Sequence, residues 1–280
     1  MVAGLAGCGT FRSSAAAAPA DPPSAAPSPT AQNPGAQNPA ARNPAARKPA
    51  AQTPVAQSTA APVVVTLGDS VPAGTACDCD PFPTLYAREV HAVSDNLAVP
   101  GYTSSDVLAQ IPGVRSRLAK ADEVVLMIGA NDLAAAFDNG TSYSDAAGEM
   151  QQNVITSIKE IDTIRRTTVL VLGYWNVVED GKVAADAYGP DGVQKSVSAT
   201  DYANDALRAA AQQTDAEYIS TDAAFHGADG TEDPTGLLAS DGDHPDAAGH
   251  AAIAALLPPL SDPRAPSAGP PADPTRSGPG

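Results

Sequence analysis

The chain has 280 residues with 27 prolines, 23 glycines and a formal charge of −16, and neither proline nor charge is evenly spread. Residues 12–62 hold eleven prolines and residues 258–280 hold eight, and both flanks are too poor in large apolar side chains to bury a core. Residues 63–257, with eight prolines and a net charge of −19, have the size of one domain, and so acidic a surface repels phosphate backbones and excludes nucleic acid as a partner.

At the start, Leu5-Ala6-Gly7-Cys8 places small residues before a cysteine, with an apolar residue three positions upstream. This resembles the bacterial lipobox, in which the cysteine is lipidated and becomes the new N-terminus. Only seven residues precede Cys8 and none is Lys or Arg, short of the basic start and apolar stretch of about 7 to 15 residues of an export signal. An upstream start is therefore expected, with residues 1–11 the remnant of a lipoprotein signal. Residues 31–55 are five copies of a five-residue unit, AQNPG, AQNPA, ARNPA, ARKPA and AQTPV. Proline recurs there too often for a helix and nothing is apolar enough to pack, so residues 12–62 read as a disordered, extended Pro/Ala-rich spacer. Residues 258–280 read as a second disordered tail. An anchored spacer places the domain outside the cytoplasm, in the bacterial cell envelope or secreted. Membrane attachment would be through the lipid alone, since no apolar run reaches the roughly 18 residues of a span.

Residues 63–257 then alternate. A β-branched run at 62–67 is followed by helical spacing at 83–93, a brief apolar stretch at 96–99, and helical spacing at 104–111 and again at 114–121. The runs EVVLMIG (123–129) and TTVLVLG (167–173) are apolar on both faces, which suits parallel strands buried beneath helices on each side. Amphipathic helices are expected at 144–165 and 201–213, a short strand at 217–220 and a closing helix at 245–257. Strand and helix in alternation predict an α/β sandwich with a mainly parallel central sheet.

In such sheets, ligands bind beyond the carboxyl ends of the strands. Gly68-Asp69-Ser70, Pro100-Gly101-Tyr102, Gly129-Ala130-Asn131-Asp132 and Tyr174-Trp175-Asn176 follow four of the strands, and Asp241-Gly242-Asp243-His244-Pro245 precedes the last helix. A serine needs a base to take its proton and a carboxylate to orient that base. Ser70, His244 and Asp241 can fill these roles, with Pro245 expected as the first residue of the closing helix and His244 at its N-terminus. Oxyanion donors are expected from the N–H of Ser70, the N–H of Gly101, where the missing side chain would allow close approach, and the side-chain amide of Asn131.

Each residue also has a plainer reading. Ser70 could cap a helix, and Asn131 and Asp132 could form a turn. His250 reads as a helix-surface residue, and His91 and His226 have no partner pattern. The acidic residues from Asp229 to Asp246 fit no EF-hand spacing, so a solvated face is expected there. Tyr174 and Trp175 suit either the cleft or the core. Cys77 and Cys79, separated only by Asp78, suit a small local disulfide, with free thiols as the alternative, and a metal site would need more ligands at fixed spacing.

Taken in order, GDS (68–70), PGYTSSDVL with Gly101, GAND (129–132) and DGDHP (241–245) resemble the SGNH or GDSL family of serine esterases and lipases, named for four site residues that are here Ser70, Gly101, Asn131 and His244. The resemblance spans about residues 63–257. It implies a flavodoxin-like three-layer α/β/α fold and acyl transfer from an ester through an acyl-enzyme to water, with no metal or cofactor. Val71 stands where the family name expects leucine. The G-x-S-x-G of α/β-hydrolases is absent, and the histidine and carboxylate set of a metallophosphoesterase does not collect at this edge. Short acyl esters of envelope glycans or lipids are the expected substrates of a monomeric enzyme, and a non-catalytic surface-binding lipoprotein on the same fold is the alternative. Residues 177–200 read as a long polar insertion without regular structure, suited to a binding loop or lid.

Overall fold

Five strands form one sheet, whose three central strands are apolar on both faces: Val64, Val65 and Leu67, Val124 to Met127, and Leu170 to Leu172 are all buried. The structure, a computed structural model, describes residues 60–260. Cys8, and all but three residues each of the spacer and of the C-terminal tail, lie outside them.

In chain order the elements are β1 (Val63–Gly68), α1 (Ser70–Ala73), α2 (Phe82–Glu89), β2 (Val93–Asn96), α3 (Ser104–Leu118), β3 (Glu123–Met127), α4 (Ala130–Asn139), α5 (Tyr143–Ile164), β4 (Thr168–Leu172), α6 (Gly181–Gln212), β5 (Glu217–Ile219), α7 (Asp222–His226) and α8 (Ala247–Ala254), with a 3₁₀ turn at Pro234–Leu237 before α8. The sheet order is β2-β1-β3-β4-β5, and every pairing is parallel. Helices α3, α5 and α6 pack in a row on one face, and α2 packs against α8 on the other. This is a three-layer α/β/α sandwich. Strand order reverses between β1 and β3, which end level with Gly68 opposite Met127, and a crevice opens at that switch point.

Several expectations need correction. A single helix, α3, spans the two segments expected at 104–111 and 114–121. Pro112 lies on its exposed side, where water can meet the carbonyl that the ring leaves unpaired, while Val107, Ile111 and Leu118 keep one buried stripe. The second strand starts at Val93, three residues early, because it pairs from Val63 onward. Ladder-like bonds from Leu97 N–H and Val99 N–H to the carbonyls of Thr66 and Gly68 carry the extended chain on through the predicted stretch. GAND is the first turn of a helix, α4, rather than a loop.

The insertion at 177–200 is largely helical. Asp180 caps α6 by accepting the Gly181 N–H at 2.6 Å. A kink at Gly189 (φ 63°, ψ −180°) ends the first segment, and Pro190, with its fixed φ, opens the second. The closing helix begins at Ala247, not at Pro245. Asp246 is the true cap, accepting the N–H groups of Ala248 and Gly249 at 2.8 and 2.9 Å, and Pro245 instead forms a bridge to Leu238. His244 is therefore two residues before the helix cap and not at the helix N-terminus.

His226 has two partners that the sequence did not suggest. Its Nε2 lies 3.0 Å from Asp180 Oδ2 and its Nδ1 2.8 Å from Asp222 Oδ1, which ties the root of α6 to α7. The hydrogen bond to Asp180, reinforced by Asp222 and opposed by burial, raises its pKa from 6.5 to about 9. A raised folded pKa gives stability that is complete below pH 6.5 and is lost as the pH climbs through 9. Allowing for the solvent exposure of Asp222, folding stability is expected to fall by on the order of 2 kcal/mol across that window. Denaturant melts should show this component missing from a His226→Gln protein.

Candidate active site

The end of β1 is built for close approach. A Cβ on Gly68 would sit 2.1 Å from the Met127 carbonyl oxygen, so only glycine lets β1 turn against β3 here. Asp69 follows, fully buried. Its Oδ1 accepts the Val71 N–H at 3.1 Å and its Oδ2 accepts the Tyr174 hydroxyl at 2.5 Å. Burial pushes its carboxyl up to about 7, against the lowering effect of these two bonds. Ser70 opens α1 half-buried, directly after this clamped residue. Val71, where the family name has leucine, is buried.

The second contribution comes from the loop after β2. Gly101 adopts φ 83° and is exposed, and a Cβ there would meet nothing within 4 Å. The left-handed backbone, rather than crowding, is what calls for glycine. Asn131, in the first turn of α4, donates its side-chain amide to the Tyr102 carbonyl at 2.8 Å. Asp132 beside it accepts both the N–H and the hydroxyl of Ser104, at 2.9 and 2.6 Å. Asn131 and Asp132 thus fasten the Gly101 loop to the end of β3.

The third contribution is the 241–244 loop. Asp241 Oδ1 accepts the N–H groups of Asp243 and His244, both at 3.1 Å, and Oδ2 lies 2.8 Å from His244 Nδ1. Partial burial works against ionisation of Asp241, but these bonds outweigh it and its pKa is lowered. Asp243 of this loop lines the same cleft as Ser70. Behind the loop, the Asp180 N–H donates to the Gly242 carbonyl at 2.7 Å. Gly242 (φ 72°) has no room for a side chain, since a Cβ would lie 2.4 Å from that of Val183.

Ser70 and Asn131 line one cleft of about 210 Å³, together with Asp138, Tyr174, Asn176, Glu179, Tyr188 and Asp243. Tyr174 thus reaches the cleft, whereas Trp175 is core, stacked on Phe225 with ring centroids 3.9 Å apart.

Cys77 and Cys79 lie side by side with Cα atoms 5.1 Å apart, inside the range that a disulfide tolerates. His250 is not the surface residue expected. It is fully buried, and one of its ring nitrogens lies within 4.8 Å of both sulfurs. Burial lowers its pKa to about 4, so the ring is neutral. Its Nδ1 accepts the Phe82 N–H at 3.2 Å, which puts the ring proton on Nε2 and leaves no lone pair for a metal. The pairing joins residues 168 positions apart in sequence, which no local pattern could reveal.

The GDSL-like lipase/acylhydrolase family model matches residues 66–252. No curated protein sequence matches the chain significantly. Among solved structures, the chain resembles a lipase from a goat rumen metagenome at 21% identity and TM-score 0.55, over 70% of this chain and 95% of that one. It also resembles an acetylxylan esterase from Geobacillus stearothermophilus at 18% identity and TM-score 0.53, over 70% of this chain and 92% of that one. At these identities the structural likeness concerns the fold alone. With the family match covering all of the sheet but residues 63–65, and the blocks that hold Ser70, Asn131 and His244, the chain belongs to the GDSL-like lipase/acylhydrolase family.

Proposed function

We propose that this protein is a serine esterase that hydrolyses short acyl esters, with Ser70 as nucleophile, His244 as general base and Asp241 as the carboxylate that orients it. The observation that carries this reading is the 2.8 Å pairing of His244 Nδ1 with Asp241, in a loop that flanks the cleft containing Ser70. With Nδ1–H held by Asp241, Nε2 keeps its lone pair and takes the Ser70 proton as Oγ attacks the ester carbonyl. The oxyanion is met by the N–H groups of Ser70 and Gly101 and by the Asn131 amide. His244 then returns the proton to the departing alkoxide, leaving an acyl-enzyme, and water repeats the sequence to free the acid and Ser70.

A cleft of about 210 Å³ suits a short acyl group better than a long chain. Acetyl-type esters are the class named for the Geobacillus relative. With Cys8 lipidated and residues 12–62 as spacer, the substrates would be glycan or lipid esters of the cell envelope, and Cys77 and Cys79 would form a local disulfide there.

Labelling with a fluorophosphonate followed by mass mapping tests the reading. Modification at Ser70 and turnover of 4-nitrophenyl acetate are expected. A well-folded protein that shows neither would be the non-catalytic binding domain instead.

A further inference from the structure

The walls of the Ser70 cleft carry carboxylates and no Lys or Arg. Asp138 comes from α4, Glu179 from the approach to α6 and Asp243 from the 241–244 loop. Elsewhere in the domain, Asp80, Asp95, Asp122, Asp186 and Asp205 each pair with an Arg or Lys. Among the described residues, none of the three cleft carboxylates does. Asp243, its side chain 43% exposed, lies 3.7 Å from His244 Nδ1, and its pKa is raised by desolvation, with the His244 charge opposing and Asp241 and Glu179 adding to the rise. Like charges with no Lys or Arg beside them in a partly enclosed space form a negative field directed at whatever enters.

An independent feature points the same way. Tyr188, the last residue before the Gly189 kink, lines the cleft and is braced edge-on by Phe137 with ring centroids 5.2 Å apart. An aromatic ring beside carboxylates is the chemistry that receives an ammonium group, through the ring quadrupole and through charge.

We propose that this cleft selects esters that carry a positive charge, an ammonium group on the alcohol or acyl part, and that Asp138 and Glu179 set this preference. The inference rests on the esterase reading of the same cleft. It adds the substrate class, and it predicts that the anionic acid released by hydrolysis is repelled from the site.

Two substrates of nearly equal shape separate charge from size: acetylcholine and its uncharged carbon isostere, 3,3-dimethylbutyl acetate, each followed by acid release at fixed pH. At low ionic strength the cationic ester is expected to show a kcat/KM about tenfold higher, with the advantage shrinking as salt is added. An Asp138→Asn, Glu179→Gln protein should bring the ratio to within about twofold of unity, chiefly by lowering kcat/KM for the cationic ester. A wild-type ratio near one, or a ratio untouched by the double substitution, overturns the proposal. Titrating a Ser70→Ala protein with the same two compounds reads selectivity without chemistry. Preferential binding of the cation without any turnover by the wild type would uphold the selectivity and refute the esterase reading, whereas turnover without preference would do the reverse.

Discussion

A Ser70→Ala protein is expected to lose about 10⁴-fold or more in kcat/KM toward 4-nitrophenyl acetate while melting at the wild-type temperature. The substitution removes only a hydroxyl from a half-buried side chain. The bonds that hold the turn, from Val71 N–H and the Tyr174 hydroxyl to Asp69, do not involve Ser70, so the fold has no reason to weaken. His244→Ala should cost a similar factor, and the double variant should be little worse than either single one, because nucleophile and base act as a unit. Asp241→Asn should lose about 10⁴-fold by favouring the wrong imidazole tautomer. Steady-state kinetics on the four proteins checks this, and losses that simply multiply would argue against a shared proton path.

The second large effect is expected at Asn131. Removing one preorganised oxyanion donor typically costs about 10²- to 10³-fold in kcat. The position differs from Ser70 in having a structural duty as well, since its amide donates to the Tyr102 carbonyl in the loop that carries Gly101. Asn131→Ala should therefore lower kcat by that factor with KM nearly unchanged, and also reduce stability by about 1 kcal/mol for the lost hydrogen bond. A variant that loses the stability but keeps kcat would leave Asn131 as a loop fastener only. Paired kinetics and denaturant melts separate the two roles.

Much of the site could be read before folding, because its parts sit at strand ends and the strands announce themselves. VVVTL, EVVLM and TVLVL are apolar on both faces, a pattern that only a doubly covered parallel sheet satisfies. Once the strands are placed, the blocks holding Ser70, Gly101, Asn131 and His244 fall on one edge. The Asp241–His244 pair is equally local: three residues apart, the two close on each other through a turn whose N–H groups bind the same carboxylate. The misreadings were local as well. Pro245 suggested a helix start, but the Asp246 cap next to it competes better for the first free N–H groups. The polar composition of 177–200 concealed a capped helix with a break at Gly189.

The sequence by itself determined the sheet and the strand ends at which the blocks sit, since each depends on hydrophobic period or on residues within a few positions of one another. Only the tertiary structure decided which charged and polar groups meet across the chain. Tyr174 closes over Asp69 from 105 residues away, His226 bridges to Asp180, and His250 turns inward to Phe82. Asp138, Glu179 and Asp243 line the Ser70 cleft with no Lys or Arg among its walls. Such meetings have no periodic trace, because they are fixed by how helices pack on the sheet and by which buried polar groups must find a partner there.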